Sequence, residues 1–265
     1  DFYQEIRHNI IESRTVLPAN MGVEVAPLDN MGKVRSRGVD LSAKVQHAFS
    51  KDFWVIFNGT FTYSKAIYKE LEEAFDKPRW QWKTGHELSQ EVGYIAEGLF
   101  RDQAEIDNSP QAKTTSMPGD IRYRDVNGDG KISELDKVPI GYPTTPEINY
   151  GFGLSVGYKG LDASFFFQGS ARQSFWLDQK KITPFMDANS GQSDDDGLKG
   201  ENQVLQVIAD SYWSESNRNP YAFWPRLSNQ SVENNNQKST WFMQDATFLR
   251  LKSVEVGYTV PQMLT

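Results

Sequence analysis

Apolar and polar residues alternate along several long stretches of the chain. In residues 39–46 every second side chain is apolar, so a strand places Val39 and Leu41 on one face, whereas a helix would separate them. A second alternating run covers residues 53–63, and only residues 50–52 lie between the two runs. The period therefore predicts two antiparallel strands joined by a tight hairpin turn of polar residues.

The same unit recurs later in the chain. Lys159 and Gly160 form a short turn between two further alternating runs. In the last run the alternation changes phase between Leu251 and Ser253, which predicts a β-bulge, and Pro261 ends the strand. The predicted strands cover residues 33–49, 53–67, 147–158, 161–175 and 241–259, with a weaker strand at residues 2–13.

The predicted strands are unusually long. An ordinary globular strand has roughly five or six residues, whereas a tilted strand needs roughly 9–11 to cross a bilayer. Their polar faces carry mostly small, uncharged side chains, and aromatic residues such as Phe53, Tyr63 and Tyr158 stand near the strand ends, as in the girdles of a membrane barrel. A large soluble sandwich with half-buried strands gives the same period, so period alone leaves both architectures open.

The lengths of the connections favour the barrel. Short turns at residues 50–52 and 159–160 alternate strictly with long connections at residues 14–32, 64–146 and 176–238. Membrane barrels alternate short periplasmic turns with long outer loops, and compact soluble domains rarely contain such long connections. We therefore predict an all-β fold, an antiparallel transmembrane β-barrel with long extracellular loops.

Composition narrows the possible functions. The chain has 28 basic and 35 acidic residues and a net charge of −7, which argues against nucleic acid as a partner because phosphate binding needs a basic face. It has no cysteine, which excludes disulfides and thiolate metal sites. No stretch reaches the roughly 18–20 consecutive apolar residues of a transmembrane helix.

Residues that could carry catalysis form no recognisable pattern. His8, His47 and His86 are far apart in the sequence and lack the spacing of zinc ligands. No Gly-x-Ser-x-Gly sequence is present, and the pair Gly151 and Gly153 lies inside a predicted strand rather than before a helix. We therefore predict neither enzymatic activity nor an organic cofactor.

One loop has the ligand spacing of a twelve-residue calcium loop, with oxygen side chains at loop positions 1, 3, 5, 9 and 12 and a glycine at position 6. Asp136 stands where a bidentate glutamate is usual, and the flanking helices are missing. The alternative is a turn whose side chains are satisfied by its own backbone. The residues of the predicted structural Ca²⁺ site are Asp125, Asn127, Asp129, Lys131 through its carbonyl, Ser133 and Asp136.

Aromatic residues in the long connections are candidates for contact with a substrate or a partner protein. Flat rings beside Asn, Gln and Asp suit sugar rings or peptides. The alternative is that these rings pack the loops against one another. The candidates are Trp80, Trp82, Tyr94, Trp176, Trp213, Tyr221 and Trp224.

Several sequence motifs match a known family in both order and spacing. They are NMGKV at 30–34, RGVDL at 37–41, GYIAEGLF at 93–100, PGDIRY at 118–123, DVNGDG at 125–130, VPIG at 138–141, PE at 146–147, QGS at 168–170, PRL at 225–227, FLRLK at 248–252 and GYTVP at 257–261. Over nearly its whole length the chain resembles the SusC/RagA-type TonB-dependent outer-membrane transporters.

The resemblance implies a barrel of 22 strands in the cell outer membrane, plugged by an N-terminal domain. Such transporters pair with a SusD-like surface lipoprotein that closes over the barrel, and they import oligosaccharides or peptides with energy from TonB. Residues 1–265 would then form about six strands of the later part of the barrel. The plug, the TonB-contacting N-terminal region and the C-terminal strands would lie outside this sequence, and six strands cannot close a barrel alone.

On this reading the polar positions of the strands face a wet lumen. A soluble, secreted, β-rich carbohydrate-binding module with a calcium-clipped loop is the alternative function. The two differ at Leu41 and Phe152, which face lipid in a barrel and are buried beneath other parts of the chain in a soluble module. The predicted lumen-facing residues are Asp40, Lys44, Asn58, Thr60, Asn149, Asp162 and Gln168.

Overall fold

The structure is a computed structural model that describes residues 1–17, 22, 25–112, 115–185, 203–228 and 232–260. In chain order the strands are β1 (Phe2–Ser13), β2 (Leu28–Ala48), β3 (Phe53–Glu70), β4 (Glu91–Gly93), β5 (Ala96–Leu99), β6 (Gln111–Ala112), β7 (Ile121–Tyr123), β8 (Lys131–Ile132), β9 (Val138–Ile140), β10 (Ile148–Tyr158), β11 (Leu161–Ala171), β12 (Ser174–Trp176), β13 (Met243–Asp245) and β14 (Phe248–Tyr258).

Helices are few and short in the described part of the chain. They are α1 (Gln103–Asp107), α2 (Gln179–Ile182) and α3 (Gln206–Asp210), with single 3-10 turns at Arg79–Gln81, Glu134–Asp136 and Glu233–Asn236. Within the described residues no helix combines the length and the hydropathy needed to cross a bilayer.

Six long strands form one antiparallel sheet in the order β1-β2-β3-β10-β11-β14. The sheet is a single layer along most of its length. Leu41 is 53% exposed, Phe57 is 40% exposed and Phe152 is 36% exposed, so no second layer of the described chain covers them. This confirms the predicted antiparallel β architecture and contradicts a sandwich in which these side chains are buried.

The register gives the sheet one apolar face. Leu41 lies opposite Phe61, which in turn lies opposite Tyr150 on the next strand. Side chains at every second position continue this face across the sheet. Its exposed members include Leu41, Val45, Phe57, Phe61, Phe152, Leu154, Leu161, Phe165, Leu249, Leu251, Val254 and Val256. An apolar surface this large needs a partner other than water.

Turns and bulges keep the faces in phase. Lys159 and Gly160 have φ angles of 48° and 84°, the conformation of a two-residue hairpin turn. The predicted bulge is confirmed by a register shift at Phe166 and Phe167 of β11, where β14 takes up one extra residue. Pro261, the predicted end of this strand, lies outside the described residues.

Two predicted strands are shorter than expected. The strand predicted over residues 161–175 stops at Ala171, because Arg172 has a φ of 56° that an extended strand does not allow. The run predicted over residues 241–259 divides into β13 and β14, since the Thr247 N–H donates to Asp245 Oδ1 (2.8 Å) and turns the chain between them.

The described parts of the two longest connections, residues 71–147 and 172–247, pack together. The Tyr94 N–H donates to the Lys238 carbonyl (3.0 Å), and the Leu99 N–H donates to the Pro220 carbonyl (2.8 Å). Side chains from both connections form a buried cluster, here called the loop core. Its members are Tyr94, Leu99, Ile121, Tyr123, Ile132, Ile208, Trp213, Ala222, Trp224 and Phe242. The two connections therefore form one packed unit rather than separate loops.

Leu154 and Ser155 are neighbours on β10 that point to opposite faces of the sheet. If hydrocarbon covers the apolar face, we expect Leu154→Lys to lower the yield of folded, membrane-inserted full-length protein, because a lysine at mid-depth costs about 2–4 kcal/mol. Ser155→Lys is the matched control and should insert normally. The measurement is the fraction of protein that resists unfolding by SDS without heating. Equal losses in both variants would contradict the assignment of the faces.

Candidate functional site

The seven predicted lumen residues lie on the face opposite Leu41. Lys44 pairs with Asn58 across β2 and β3, and Thr60 pairs with Gly151 of β10, to whose carbonyl its hydroxyl donates (3.4 Å). The register places Asp40, Asn149, Asp162 and Gln168 on the same side. The strands thus bring these groups onto one polar face, while lumen contact by this face stays a prediction.

Aromatic rings also lie on the polar face, where they interrupt the alternation of apolar and polar residues. A Cβ at Gly157 would come within 2.2 Å of the Trp54 ring, and one at Gly38 within 2.3 Å of the Tyr3 ring. Phe166 similarly covers Gly151, where a Cβ would lie 3.1 Å from its ring. The signal was present in the sequence as glycines at polar positions, but only the register pairs each glycine with its ring.

Three of the seven loop aromatics belong to the loop core. Tyr94 is 6% exposed, and Trp213 and Trp224 are each 5% exposed. For these three, the alternative that the rings pack the loops together is the arrangement in the structure. Gly119, with a φ of 88°, allows this packing, because a Cβ there would lie 2.4 Å from the Trp213 ring.

The other four loop aromatics are more accessible. Tyr221 is 74% exposed, and Trp80 is 40% exposed while its indole N–H donates to the Leu135 carbonyl (3.1 Å). Trp82 and Trp176 are half-buried, and each indole N–H donates to a backbone carbonyl. Tyr221 and Trp80 therefore offer the most ring surface to a ligand or partner, and such contact stays a prediction.

Asp120 links the two long connections through a fully buried carboxylate. Its Oδ1 accepts hydrogen bonds from Arg226 Nε (2.7 Å) and Asn235 Nδ2 (3.0 Å), and its Oδ2 accepts one from the Met117 N–H (2.8 Å). Asn235 Oδ1 accepts in turn from the Ile121 N–H (2.9 Å). A buried charge is tolerated here because it is paired and fully hydrogen-bonded. Asp120 and Arg226 lie in the motifs PGDIRY and PRL, but they are 106 residues apart in the sequence, so no local pattern predicted the contact.

A phenol of the loop core stays neutral at physiological pH. Burial raises the pKa of Tyr94 well above its ordinary value, and the nearby Glu134 carboxylate adds to the effect. The Tyr94 hydroxyl lies 3.4 Å from Glu134 Oε1, and Lys137 Nζ lies 5.1 Å from the ring centre. This ring therefore serves as a packing element and a hydrogen-bond donor rather than as an acid or base.

The predicted calcium loop begins with a carboxylate that its own backbone satisfies. Asp125 accepts from the Gly128 N–H (2.7 Å) and the Gly130 N–H (2.8 Å). Partial burial raises the pKa of Asp125, but these N–H bonds outweigh that effect and hold the pKa below its ordinary value. The next two predicted ligands also bond locally, since the Asp129 N–H donates to Asn127 Oδ1 (2.9 Å).

The loop ends at Asp136, whose carboxylate is fully buried. Oδ1 accepts from the Val126 N–H (2.8 Å), and Oδ2 accepts from the Ser133 N–H (2.7 Å) in a capping box of the 3-10 turn Glu134–Asp136. The part of the chain that the structure describes contains no group of three or more His, Cys, Asp or Glu side chains that could hold a metal ion. The geometry is that of the self-satisfied turn.

Charged side chains meet where the strands leave the sheet at the long-connection end. Glu147, whose side chain is 2% exposed, pairs with Arg172 and with Lys65 (3.2 Å), which also binds Glu87. Burial raises the pKa of Glu87. Burial acts the same way on Glu147, but the bonds from Arg172 and Lys65 outweigh it and lower the Glu147 pKa. A lowered pKa means that this contact stabilises the fold above the ordinary carboxylate pKa and is lost on acidification.

Replacing Asp120 tests whether it holds the two connections together. We expect Asp120→Asn to loosen the loop core, because it removes the buried charge that pairs with Arg226. Breaking such a buried ion pair lowers the free energy of unfolding by about 3 kcal/mol. The measurement is amide hydrogen exchange, which should rise in β5, β7 and residues 232–242. Asp107→Asn, on the exposed end of α1, is the control and should change exchange only locally. Unchanged exchange in β7 would contradict the linking role.

Two curated proteins are similar to the chain in sequence. No protein-family model matches the chain. TonB-dependent receptor P26 of Formosa agariphila is 31% identical over 164 residues, which cover 62% of this chain and 15% of that receptor. TonB-dependent receptor P3 of the same organism is 22% identical over 274 aligned positions, which cover 99% of this chain and 25% of that receptor.

Solved structures match the fold over almost the whole chain. The RagAB peptide transporter superposes with a TM-score of 0.67 and 21% identity, covering 99% of this chain and 27% of that one. Its "open-open" state gives a TM-score of 0.66 and 20% identity over 99% of this chain. The chain thus spans about a quarter or less of the proteins it matches. These proteins are transporters rather than enzymes. The chain is thus similar in sequence to part of two TonB-dependent receptors, and it has the fold of part of the RagA barrel.

Proposed function

We propose that the chain forms part of the wall of an outer-membrane importer that takes up oligosaccharides or peptides together with a SusD-like surface lipoprotein. The observation that carries the proposal is the one-layer sheet, apolar on one face and polar on the other, with both faces open. Hydrocarbon on one side and water on the other satisfies both faces at once. Because backbone groups must pair within a bilayer, further strands would continue the sheet beyond β1 and β14.

In the assembled receptor, residues 1–265 would supply the later part of a 22-stranded barrel, with the plug and the TonB-contacting region in other parts of the protein. The strict alternation of short and long connections supports this placement, since the turns at 49–52 and 159–160 lie at one end of the sheet and the loop core lies at the other. The loop core would therefore face the cell exterior, where a lipoprotein and substrate arrive.

A peptide substrate has more support than a sugar in one respect. The matching solved structures are those of a peptide transporter, and their "open-open" and "closed-closed" states fit a lid that moves. The polar wall, with rings such as Trp54 and Phe166 among amides and hydroxyls, suits either polymer. The residues of the polar face therefore do not distinguish peptides from oligosaccharides, and an uptake measurement is needed to do so.

The soluble carbohydrate-binding module is the weaker alternative. Its apolar side chains would need to be buried within the module, yet Val45 is 59% exposed and Val256 is 71% exposed. An uncovered apolar face of this size in water would drive aggregation.

Uptake by the full-length receptor in its native cell tests the function. We expect labelled oligopeptides or oligosaccharides to enter only when TonB and the lipoprotein are both present. Tyr221→Ala should lower uptake at limiting substrate by about fivefold, the effect of losing about 1 kcal/mol of aromatic contact. Phe75→Ala, which removes a ring that is 90% exposed in another loop, is the matched control. A receptor that stays soluble without detergent, or uptake that persists without TonB, would contradict the proposal.

Calcium at residues 125–136 remains a separate proposal. Each carboxylate oxygen has two lone pairs, so a cation could share oxygens of Asp125 and Asp129 that already accept an N–H bond. We expect bound Ca²⁺ only to stabilise the loop. Adding Ca²⁺ back to chelator-treated receptor should therefore raise the midpoint of its thermal unfolding. Asp125→Asn should abolish that rise. The measurement is a calcium titration by calorimetry, and no binding up to millimolar concentrations would end the proposal.

A further inference from the structure

The exposed apolar side chains of the apolar face, such as Leu41, Phe61 and Leu249, form what is here called the apolar band. A cavity of about 690 Å³ lies where β1, β2 and β3 extend beyond this band. Most of its lining residues form cross-strand rows whose side chains share the apolar face, and Tyr3 and Gly38 of the other face complete the lining. The polarity changes sharply from one row to the next, from aromatic and aliphatic to basic. From the band outward the rows are Phe2–Val39–Tyr63, Gln4–Arg37–Lys65 and Arg35–Ile67.

The position of the rows relative to the band is fixed by the strand geometry. Val39 and Leu41 are two residues apart on β2 and share a face, and Arg37 and Arg35 follow on that face in the other direction. Successive side chains on one face are about 7 Å apart. The guanidinium groups therefore stand just past the edge of the band, at the end of the sheet that carries the long connections.

Two of the three cations here lack a carboxylate partner among the described residues. Lys65 is already paired with Glu87 and Glu147. Arg37 Nε donates to the neutral amide oxygen of Gln4 (2.6 Å), and Arg35 Nε is buried without any hydrogen-bond partner in the described chain. A buried guanidinium N–H without an acceptor is costly. It points to an anionic acceptor that the described chain does not supply.

We propose that this cavity binds a phosphate group of an anionic glycolipid in the outer leaflet. Arg35 and Arg37 hold the phosphate oxygens, which match the planar N–H fork of a guanidinium. The row of Phe2, Val39 and Tyr63 contacts the upper part of the acyl chains. A free phosphate ion would satisfy the charge but would leave this apolar row uncovered, so the arrangement favours the lipid. The inference rests on the proposed function, because it requires a bilayer around the sheet.

Lipid binding to the purified full-length receptor tests the site. The probe is bis-phosphorylated lipid A, added to the receptor in detergent and followed by native mass spectrometry. We expect the parent to bind it, and the double variant Arg35→Gln/Arg37→Gln to bind about tenfold more weakly. Dephosphorylated lipid A should bind the parent as weakly as the probe binds the variant. Inorganic phosphate at the same concentration should not compete with the probe.

The matched control is Lys51→Gln/Lys159→Gln, which removes the same charge from the short turns at the opposite end of the sheet and should bind the probe as the parent does. Resistance to SDS without heating reports folding of every variant. If the Gln variant does not fold, Arg35→Lys/Arg37→Lys is tested in its place. It keeps the charge but lacks the planar N–H fork of the guanidinium, so it should bind the probe severalfold more weakly than the parent.

Binding that is equal in the parent and in a folded arginine variant would overturn the site. Equal binding of dephosphorylated lipid A, or displacement of the probe by inorganic phosphate, would overturn the assignment to a phosphorylated lipid. Membrane insertion and TonB-dependent uptake are measured on the same proteins. If the receptor inserts and imports normally but does not bind the probe, the lipid site alone is disproved. If the receptor does not insert into the membrane, the proposed function is disproved.

Discussion

The pairing register of the six long strands is the constraint on which the rest of the structure depends. Side chains alternate along a strand, so a slip of one residue would exchange the apolar and the polar face. The apolar face continues from Leu41 through Phe61 to Tyr150 because each pair holds its register. Where β14 contains an extra residue, the bulge absorbs it, and Val254 returns to the apolar face opposite Phe165. A single layer then leaves both faces available, one to an apolar and one to an aqueous environment.

At the end of the sheet that carries the long connections, buried polar contacts and the loop core hold these connections together. Asp120, Arg226 and Asn235 join segments that are far apart in sequence, and the aromatic members of the loop core fill the space between them. Ordering such long connections has a large entropic cost, which this packing offsets. The result is a defined surface above the sheet, on which a few rings such as Tyr221 remain exposed. A rigid loop unit can present a binding surface that separate mobile loops could not.

The same alternation that builds the wall also places charge at its rim. On the apolar face the band ends in a row of Phe2, Val39 and Tyr63, and the arginines of β2 follow immediately. On the polar face, glycines opposite aromatic residues let the rings of Trp54 and Phe166 lie flat on the wall. Both features come from pairs of residues on neighbouring strands rather than from either residue alone. The strand pairing thus sets which side chains lie on the apolar face, which lie on the polar face and where each region ends.

The sequence alone determined the six long strands, except for the ends of the two predicted over residues 161–175 and 241–259. It also determined the short turns, the bulge near Ser253 and the division of side chains between two faces, because each is encoded by neighbours one or two residues apart. It also singled out the turn beginning at Asp125, while leaving open whether metal or backbone satisfies its carboxylates. Only the tertiary structure decided that Tyr94, Trp213 and Trp224 pack in a core, and that Asp120 meets Arg226. Those contacts join residues far apart in the chain, and no local period records which distant side chain will lie opposite.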